Sequence, residues 1–266
     1  MINFQIFLLG IVQGITEFLP VSSSAHLILI SEFFGLHDQG ISHDIAVHVG
    51  TLGAVIYYFR KEIIDLFKDF FSSIKSKKSK QNFLYIKIII STLPAIVVGF
   101  IIFQYFIENI RNIQLIAFSC IIFGFFLFFT DTYSKTNKSY ENISFKDALM
   151  IGIFQCFAFI PGASRSGVVI TISRFMGLNR ESAAIYSMLL SIPIILASLV
   201  LAIPDLINEN SNLFNIKEIL FSSLIAFITA FFSIKFMMTL IKRFSFNFFV
   251  IYRILLGIII LLWVYL

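Results

Sequence analysis

The sequence predicts an all-α integral membrane protein with six transmembrane helices plus two re-entrant helix–break–helix pairs, arranged as inverted-topology repeats. Three observations predict it. Of 266 residues, 58% are hydrophobic and only 13% charged, where a soluble domain is about a quarter charged. Apolar runs at 83–103, 113–129, 183–203, 219–234 and 246–266 approach the roughly 20 residues that span a bilayer. Two further apolar stretches, about 2–36 and 146–176, each carry a Pro and a small polar cluster at their middle. Each half is too short to cross, and broken backbone at membrane depth is tolerated only inside protein or beside a wet cavity.

Loop charge orders the elements. Lys and Arg favour the cytoplasmic side of short loops. Segment 60–80 holds Arg60, Lys61, Lys68, Lys75, Lys77, Lys78 and Lys80, segment 131–147 holds Lys135, Lys138 and Lys146, and 242–243 is Lys-Arg. These three loops are expected inside, and the run KSKKSK (75–80) as a solvated loop able to touch anionic lipid. Segments 107–112 and 204–216 are poor in basic residues and are expected outside. The crossings then fall near 44–60, 83–106, 113–130, 181–203, 217–241 and 246–266, with the first re-entrant pair entering from outside and the second from inside. Pro94 and Pro193 fall within crossings and are expected to kink them.

The whole chain reads as one membrane domain, 1–266. GIVQGITEFLPVSSSAH (10–26) and GIFQCFAFIPGASRSG (152–167) share Gly-Ile-x-Gln, an apolar turn, Pro and a Ser-rich break. Repeat one covers about 1–130 and repeat two about 146–266. Three crossings follow each break, an odd number, so the second copy is inverted. Such repeats place two broken helices face to face near the midplane. The N-terminus lacks the basic start and small-residue cleavage site of a removable signal. Cys120 and Cys156 lie in apolar segments and predict neither a disulfide framework nor a zinc site. The net charge of +5 sits in loops without interleaved aromatics, which argues for anionic membrane lipids and against nucleic acid.

The chemistry concentrates at the breaks. Gln13 and Glu17, four apart, share a helix face, and a carboxylate within a membrane is a functional candidate by default. Pro20 ends that helix. Ser22, Ser23, Ser24 and His26 follow, and a helix restarting near Ser22 or Ser23 aims free N–H groups at the break. In PGASRSG (161–167), Gly162 and Gly167 give backbone freedom, Ser164 and Ser166 give hydroxyls, and Arg165 gives a charged planar fork suited to phosphate oxygens. Together they describe a cradle for phosphate or diphosphate. Burial in a membrane suggests a lipid phosphate. Glu17 then serves as proton acceptor or, with Gln13, as ligand to a hard divalent cation, Mg²⁺ or Ca²⁺. His26 is a candidate proton relay.

These two stretches resemble the (E/Q)xxxE-FLPVSS-x-x-H and PGxSRSG motifs of the undecaprenyl-diphosphate phosphatase (bacitracin-resistance) family. The resemblance implies a multi-pass phosphatase of the bacterial cell membrane that hydrolyses undecaprenyl diphosphate to the monophosphate, recycling the lipid carrier of peptidoglycan synthesis. It implies six spans with two re-entrant pairs, a divalent cation, and a site opening to the outer face. By position it makes Ser23 the proposed nucleophile, Glu17 the motif carboxylate, His26 the motif histidine and Arg165 the phosphate-binding arginine. Gln13, Ser22, Ser24, Gly162, Ser164, Ser166 and Gly167 are expected around the substrate. Gln13, Ala25 and Ala163 depart from the commonest motif form. Gln13 cannot act as a base, so that role falls on Glu17. The lipid substrate is the expected partner, and a homodimer is compatible with the sequence. The main alternative is an inverted-repeat transporter or flippase for a lipid phosphate or other anion. A second class of membrane lipid phosphatase needs a histidine late in the chain, and all four histidines lie at or before His48.

Two signals are read blandly. In SHDIAVH (42–48), the five-residue spacing of His43 and His48 suits a zinc helix poorly, so the run is expected to be a polar helix start with Asp44 favouring the dipole. Arg174 is expected to reach the inner surface.

Overall fold

A computed structural model describes residues 4–35, 41–75, 83–105, 112–134, 138–208 and 216–266. Its eleven α-helices are α1 (Phe4–Thr16), α2 (Ser23–Phe34), α3 (Ile41–Tyr58), α4 (Arg60–Lys75), α5 (Leu84–Tyr105), α6 (Ile113–Tyr133), α7 (Phe145–Gln155), α8 (Arg165–Phe175), α9 (Arg180–Asn208), α10 (Ile216–Ile241) and α11 (Asn247–Tyr265). A single bridge, Lys138 to Leu178, is the β-type pairing among the described residues. Segments 107–112 and 204–216 and the run KSKKSK (75–80), which carry much of the loop-charge argument, lie largely outside the described residues.

Among the described residues five helices are long and apolar enough to cross a membrane: α5, α6, α9 as far as Pro204, α10 and α11. Pro94 lies inside α5 and Pro193 inside α9. α3 has 18 residues with His43, Asp44 and His48 among them and is not one of the five. α1, α2, α7 and α8 have 13, 12, 11 and 11 residues. At 1.5 Å per residue the longest of these reaches only about 20 Å, short of the roughly 30 Å hydrocarbon core.

The interruptions fall where the sequence puts them. α1 ends at Thr16, four residues before Pro20, and α2 restarts with Ser22 as its N-cap, whose hydroxyl accepts from Ala25 N–H. α7 ends at Gln155, a 3-10 turn covers Cys156–Phe159, and α8 restarts with Ser164 as N-cap, accepting from Gly167 N–H. Both capping serines have left-handed backbone, φ 74° at Ser22 and 69° at Ser164. That conformation is costly for a residue with a Cβ, so the surrounding structure holds it in both places.

Packing exchanges elements between the halves of the chain. α1 packs along α10, α7 along α5, and α6 crosses α11. The α1–α10 contact is close because Gly14 lacks a side chain. A Cβ there would lie 2.7 Å from Ala226 O and 2.9 Å from Ala230 N. Gly14→Ala must therefore push two backbones apart, and overpacking of this kind costs about 1–3 kcal/mol. A lower melting temperature of the purified protein is the expected result, and an unchanged one contradicts the contact. At the corresponding α5–α7 seam, Gln155 donates to Ser91 O at 3.1 Å, and the Ser91 hydroxyl donates to Ala148 O at 2.7 Å.

Two expectations are corrected. Segment 60–75 is a helix rather than a loop. Ile63 and Leu66 of α4 pack against the core, while Phe67 and Phe71 stay exposed on an amphipathic surface. Dense lysines hid the 3.6-residue apolar period, which is the signature of a helix lying in a membrane interface. Arg174 does not reach a surface but is buried. Its Nε donates to Asp131 Oδ1 at 2.9 Å, and its Nη1 donates to Leu178 O. Arg180 Nε shares the same carboxylate at 2.8 Å, and Phe246 N–H donates to its other oxygen at 3.0 Å. Asp131 thus ties the ends of α6 and α8 to the starts of α9 and α11. An arginine inside the fold needs such a partner, which a motif-centred reading of the sequence did not seek.

Candidate active site

Glu17 is the centre of the site. It lies one residue past α1, with its carboxylate 9% exposed. Ser23 and Arg165 are the first residues of α2 and α8, so the two capped breaks bring them to the same place. Ser23 Oγ donates to Glu17 Oε2 at 2.9 Å, and Arg165 Nη2 donates to Glu17 Oε1 at 3.0 Å. Gln13 Nε2, a helical turn back, donates to Oε2 at 2.9 Å. Arg165 Nη1 is held by Ser187 O at 3.2 Å, leaving the rest of its five-donor fork for a ligand.

The breaks share their local chemistry. Ser22 and Ser24 hydroxyls lie 3.2 Å apart, as do those of Ser164 and Ser166. Ser166 Oγ also donates to Leu19 O at 2.8 Å, joining one break to the other. Ser24 is exposed, while Ser22, Gly162, Ser164, Ser166 and Gly167 are buried. In the first turns of α2 and α8 the Ala25 and Gly167 N–H groups are taken by the capping serines. The N–H groups at the very start of each helix, next to the Ser23 hydroxyl and the Arg165 fork, have no partner within the helix. This set of donors suits phosphate oxygens.

His26 stands apart from that centre. Its Nδ1 lies 2.7 Å from Ser22 O and its Nε2 2.6 Å from the Tyr252 hydroxyl. A carbonyl only accepts, so in the neutral ring Nδ1 carries the hydrogen and Nε2 accepts from Tyr252. The two rings stack with centroids 5.7 Å apart. Neither nitrogen touches Ser23 or Glu17.

A different histidine reaches the centre. His48 Nε2 lies 3.2 Å from Gln13 Nε2, and its Nδ1 faces Asp44 O at 2.7 Å. Nδ1–H donates to the carbonyl, Nε2 accepts, and Gln13 uses its two amide hydrogens on His48 and Glu17. Gln13 Oε1 is left buried without a partner. Sequence reading had discounted His48 for its spacing from His43. The spacing that matters is vertical, from His48 across to Gln13 on another helix, and no sequence period reports it. His43 turns instead to Ser222 Oγ at 3.3 Å.

The donors fit a hard cation in part. Among the described residues no three His, Cys, Asp or Glu side chains cluster for a metal. The orphaned Gln13 Oε1 and the Glu17 carboxylate are nevertheless oxygens of the type Mg²⁺ and Ca²⁺ take.

Beside α8 lies an apolar cavity of about 860 Å³, lined among others by Phe123, Phe126, Phe154, Phe157, Val168 and Thr171. Val168, Thr171, Ile172 and Phe175 all line it, so the cavity runs along α8 from about one helical turn past Arg165 to the end of the helix.

A multi-pass helical protein that gathers a carboxylate, a hydroxyl and a guanidinium between two interrupted helices has a donor set suited to phosphate chemistry. The chain belongs to the bacitracin resistance protein family BacA, whose profile matches residues 6–259. It is similar to the undecaprenyl-diphosphatase of Saccharophagus degradans, with 43% identity over 249 residues, 94% of this chain and 93% of that one. It is also similar to the undecaprenyl-diphosphatase of Aliivibrio salmonicida, with 44% identity over 270 positions, 99% and 98% of the two chains.

Proposed function

We propose that this protein hydrolyses undecaprenyl diphosphate to undecaprenyl phosphate and inorganic phosphate, returning the lipid carrier to cell-wall synthesis. The observation that carries the reading is the meeting of Ser23, Gln13 and Arg165 on the Glu17 carboxylate, in a chain aligned end to end with two undecaprenyl-diphosphatases.

In this reading Ser23 Oγ attacks the terminal phosphorus, and Glu17 takes the hydroxyl proton along the hydrogen bond already formed. The bond from that phosphorus to the bridging oxygen breaks, and undecaprenyl phosphate leaves. Glu17 passes that proton to the leaving undecaprenyl phosphate and, again ionised, takes a proton from the water that attacks the phosphoserine. The bond from phosphorus to Ser23 Oγ breaks, inorganic phosphate leaves and Glu17 returns the proton to Ser23. Arg165 and the first-turn amides of α8 bind the equatorial oxygens, where electrostatic stabilisation dominates phosphoryl transfer. Gln13 and Glu17 would hold Mg²⁺ or Ca²⁺, which neutralises phosphate charge when bound. His26, tied to Ser22 O and Tyr252, fixes the turn before Ser23 rather than moving the proton. The polyprenyl tail lies along the Phe-lined cavity beside α8.

The same proposal takes α3 as a sixth crossing, the α1–α2 and α7–α8 pairs as re-entrant and the halves as inverted repeats around an outward-opening site. It is supported by the matched left-handed caps, the exchanged α1–α10 and α7–α5 packing, and the charge of the loops.

Phosphate release from undecaprenyl diphosphate by the purified protein, with Mg²⁺, with Ca²⁺ and with chelator, tests it. Cation-stimulated release is expected. Folded protein that binds the lipid and releases nothing would turn the reading to a transporter, to be followed by flux into liposomes.

A further inference from the structure

Among the described residues Arg253 is the largest side chain fully buried, and it lies within α11. An arginine remains charged in any protein environment, and a buried charge normally has a carboxylate beside it. Among the described residues Arg253 forms no ion pair. Its Nη2 donates to Gly162 O at 2.9 Å and to Ala163 O at 2.8 Å. Its Nε and Nη1 are buried with no partner at all. Nη1 rests against Gly167, where an added Cβ would come within 2.6 Å of it. Arg253 therefore stands directly against the PGASRSG break, touching Gly162, Ala163 and Gly167.

This charge is peculiar to one half. α6 and α11 cross with Gly124 against Val250 O and Gly257 against Ala117 O. The residue four before Gly124 is Cys120, and the residue four before Gly257 is Arg253. Cys120 Sγ also points at Gly162 O, at 3.6 Å. The same carbonyl is thus approached by a neutral group from α6 and by a cation from α11.

Charge balance gives the asymmetry a meaning. Arg165 and Glu17 neutralise one another at 3.0 Å. The positive charge left at the break is that of Arg253. Its two hydrogen bonds also fix the peptide planes on either side of Ala163, between Gly162 at φ 90° and Ser164 at φ 69°. These planes lead into the free amides of α8.

We infer that Arg253 is a positioning residue for the diphosphate: it clamps the Gly162–Ala163 carbonyls so that the α8 amides face the anion, and it gives the site its net positive charge. The inference rests on the proposed hydrolase reading of the same site.

Arg253→Met and Arg253→Lys separate the roles. The measurements are binding of inorganic diphosphate and inorganic phosphate by calorimetry, kcat and KM for undecaprenyl diphosphate, and the melting temperature. Arg253→Met is expected to lose about a hundredfold in diphosphate affinity, as truncating a buried charge partner does, and to lose less for monophosphate. Arg253→Lys is expected to restore the diphosphate preference and KM while kcat stays low, because an ammonium cannot fork onto both carbonyls. A folded Arg253→Met with wild-type diphosphate affinity and kcat/KM overturns the inference. So does an equal loss for both anions that lysine does not repair, which marks a purely structural arginine. If the methionine variant does not fold, Arg253→Lys decides, and a lysine protein with wild-type kcat overturns the clamp. Wild-type protein that binds diphosphate through Arg253 but releases no phosphate from the lipid would sink the hydrolase reading and leave the anion site standing. Wild-type protein that neither binds nor hydrolyses overturns both.

Discussion

Glu17→Gln is expected to lower kcat for phosphate release by about three orders of magnitude, the range of a positioned general base. The substitution removes basicity and keeps only one of the two oxygens that now accept from Ser23 and Gln13 on one side and Arg165 on the other. The amide NH2 must then face one of those donors, so the protein should fold with a melting temperature lowered by the loss of one buried hydrogen bond, about 1–3 kcal/mol. Its effect on the bound anion has the opposite sign to its effect on rate. With the carboxylate neutral, the Arg165 fork is no longer held by an opposing charge, so inorganic diphosphate measured without divalent cation should bind as well as or better than to wild type. Steady-state kinetics and calorimetry on one preparation read both. A variant that retains activity within a few-fold of wild type would remove Glu17 from the base role, and water or Ser23 would have to lose its proton elsewhere.

Arg165→Ala is expected to abolish measurable hydrolysis, and Arg165→Lys to leave a loss of about a hundredfold or more. The guanidinium bridges Ser187 O and Glu17 Oε1 at once, a span that a single ammonium cannot reproduce. Breaking a buried pair also leaves Glu17 unpaired, which costs about 3–5 kcal/mol of stability. Combining Arg165→Ala with Glu17→Gln should recover part of that stability and none of the activity. If the double variant melts no higher than the single one, the ion pair is not what makes Arg165 structurally important.

The parts legible in the sequence were those written locally. Pro20 and Pro161 end their segments, and a serine caps each restarting helix at the expected residue, because caps and breaks depend on neighbours along the chain. Glu17 and Arg165 could be assigned to one site although 148 positions apart, because each is an isolated charge at a break in an apolar segment, where an ion without a role is costly. His48 and Arg253 escaped for a different reason. Each acts through a contact between helices far apart in sequence, Gln13 for one and the Gly162–Ala163 carbonyls for the other. Yet Arg253 carried the same signal as Glu17, a lone charge inside the apolar run 246–266, and the rule that exposed Glu17 applies to it equally. α4 was missed because its charges were counted and its period was not.

The exchanged packing sets a problem for the ribosome. Gly14 is cut to receive the backbone at Ala226 and Ala230, a partner more than two hundred residues downstream. At about 5–20 residues per second, α1 waits some tens of seconds in the bilayer before α10 is made. For the first 148 residues of that interval the Glu17 carboxylate also lacks Arg165, since the guanidinium that neutralises it has yet to be translated. The nascent first half is therefore an unfinished surface with a bare charge at its centre. Membrane proteases that survey such intermediates should cut it most readily when elongation stalls between the two breaks.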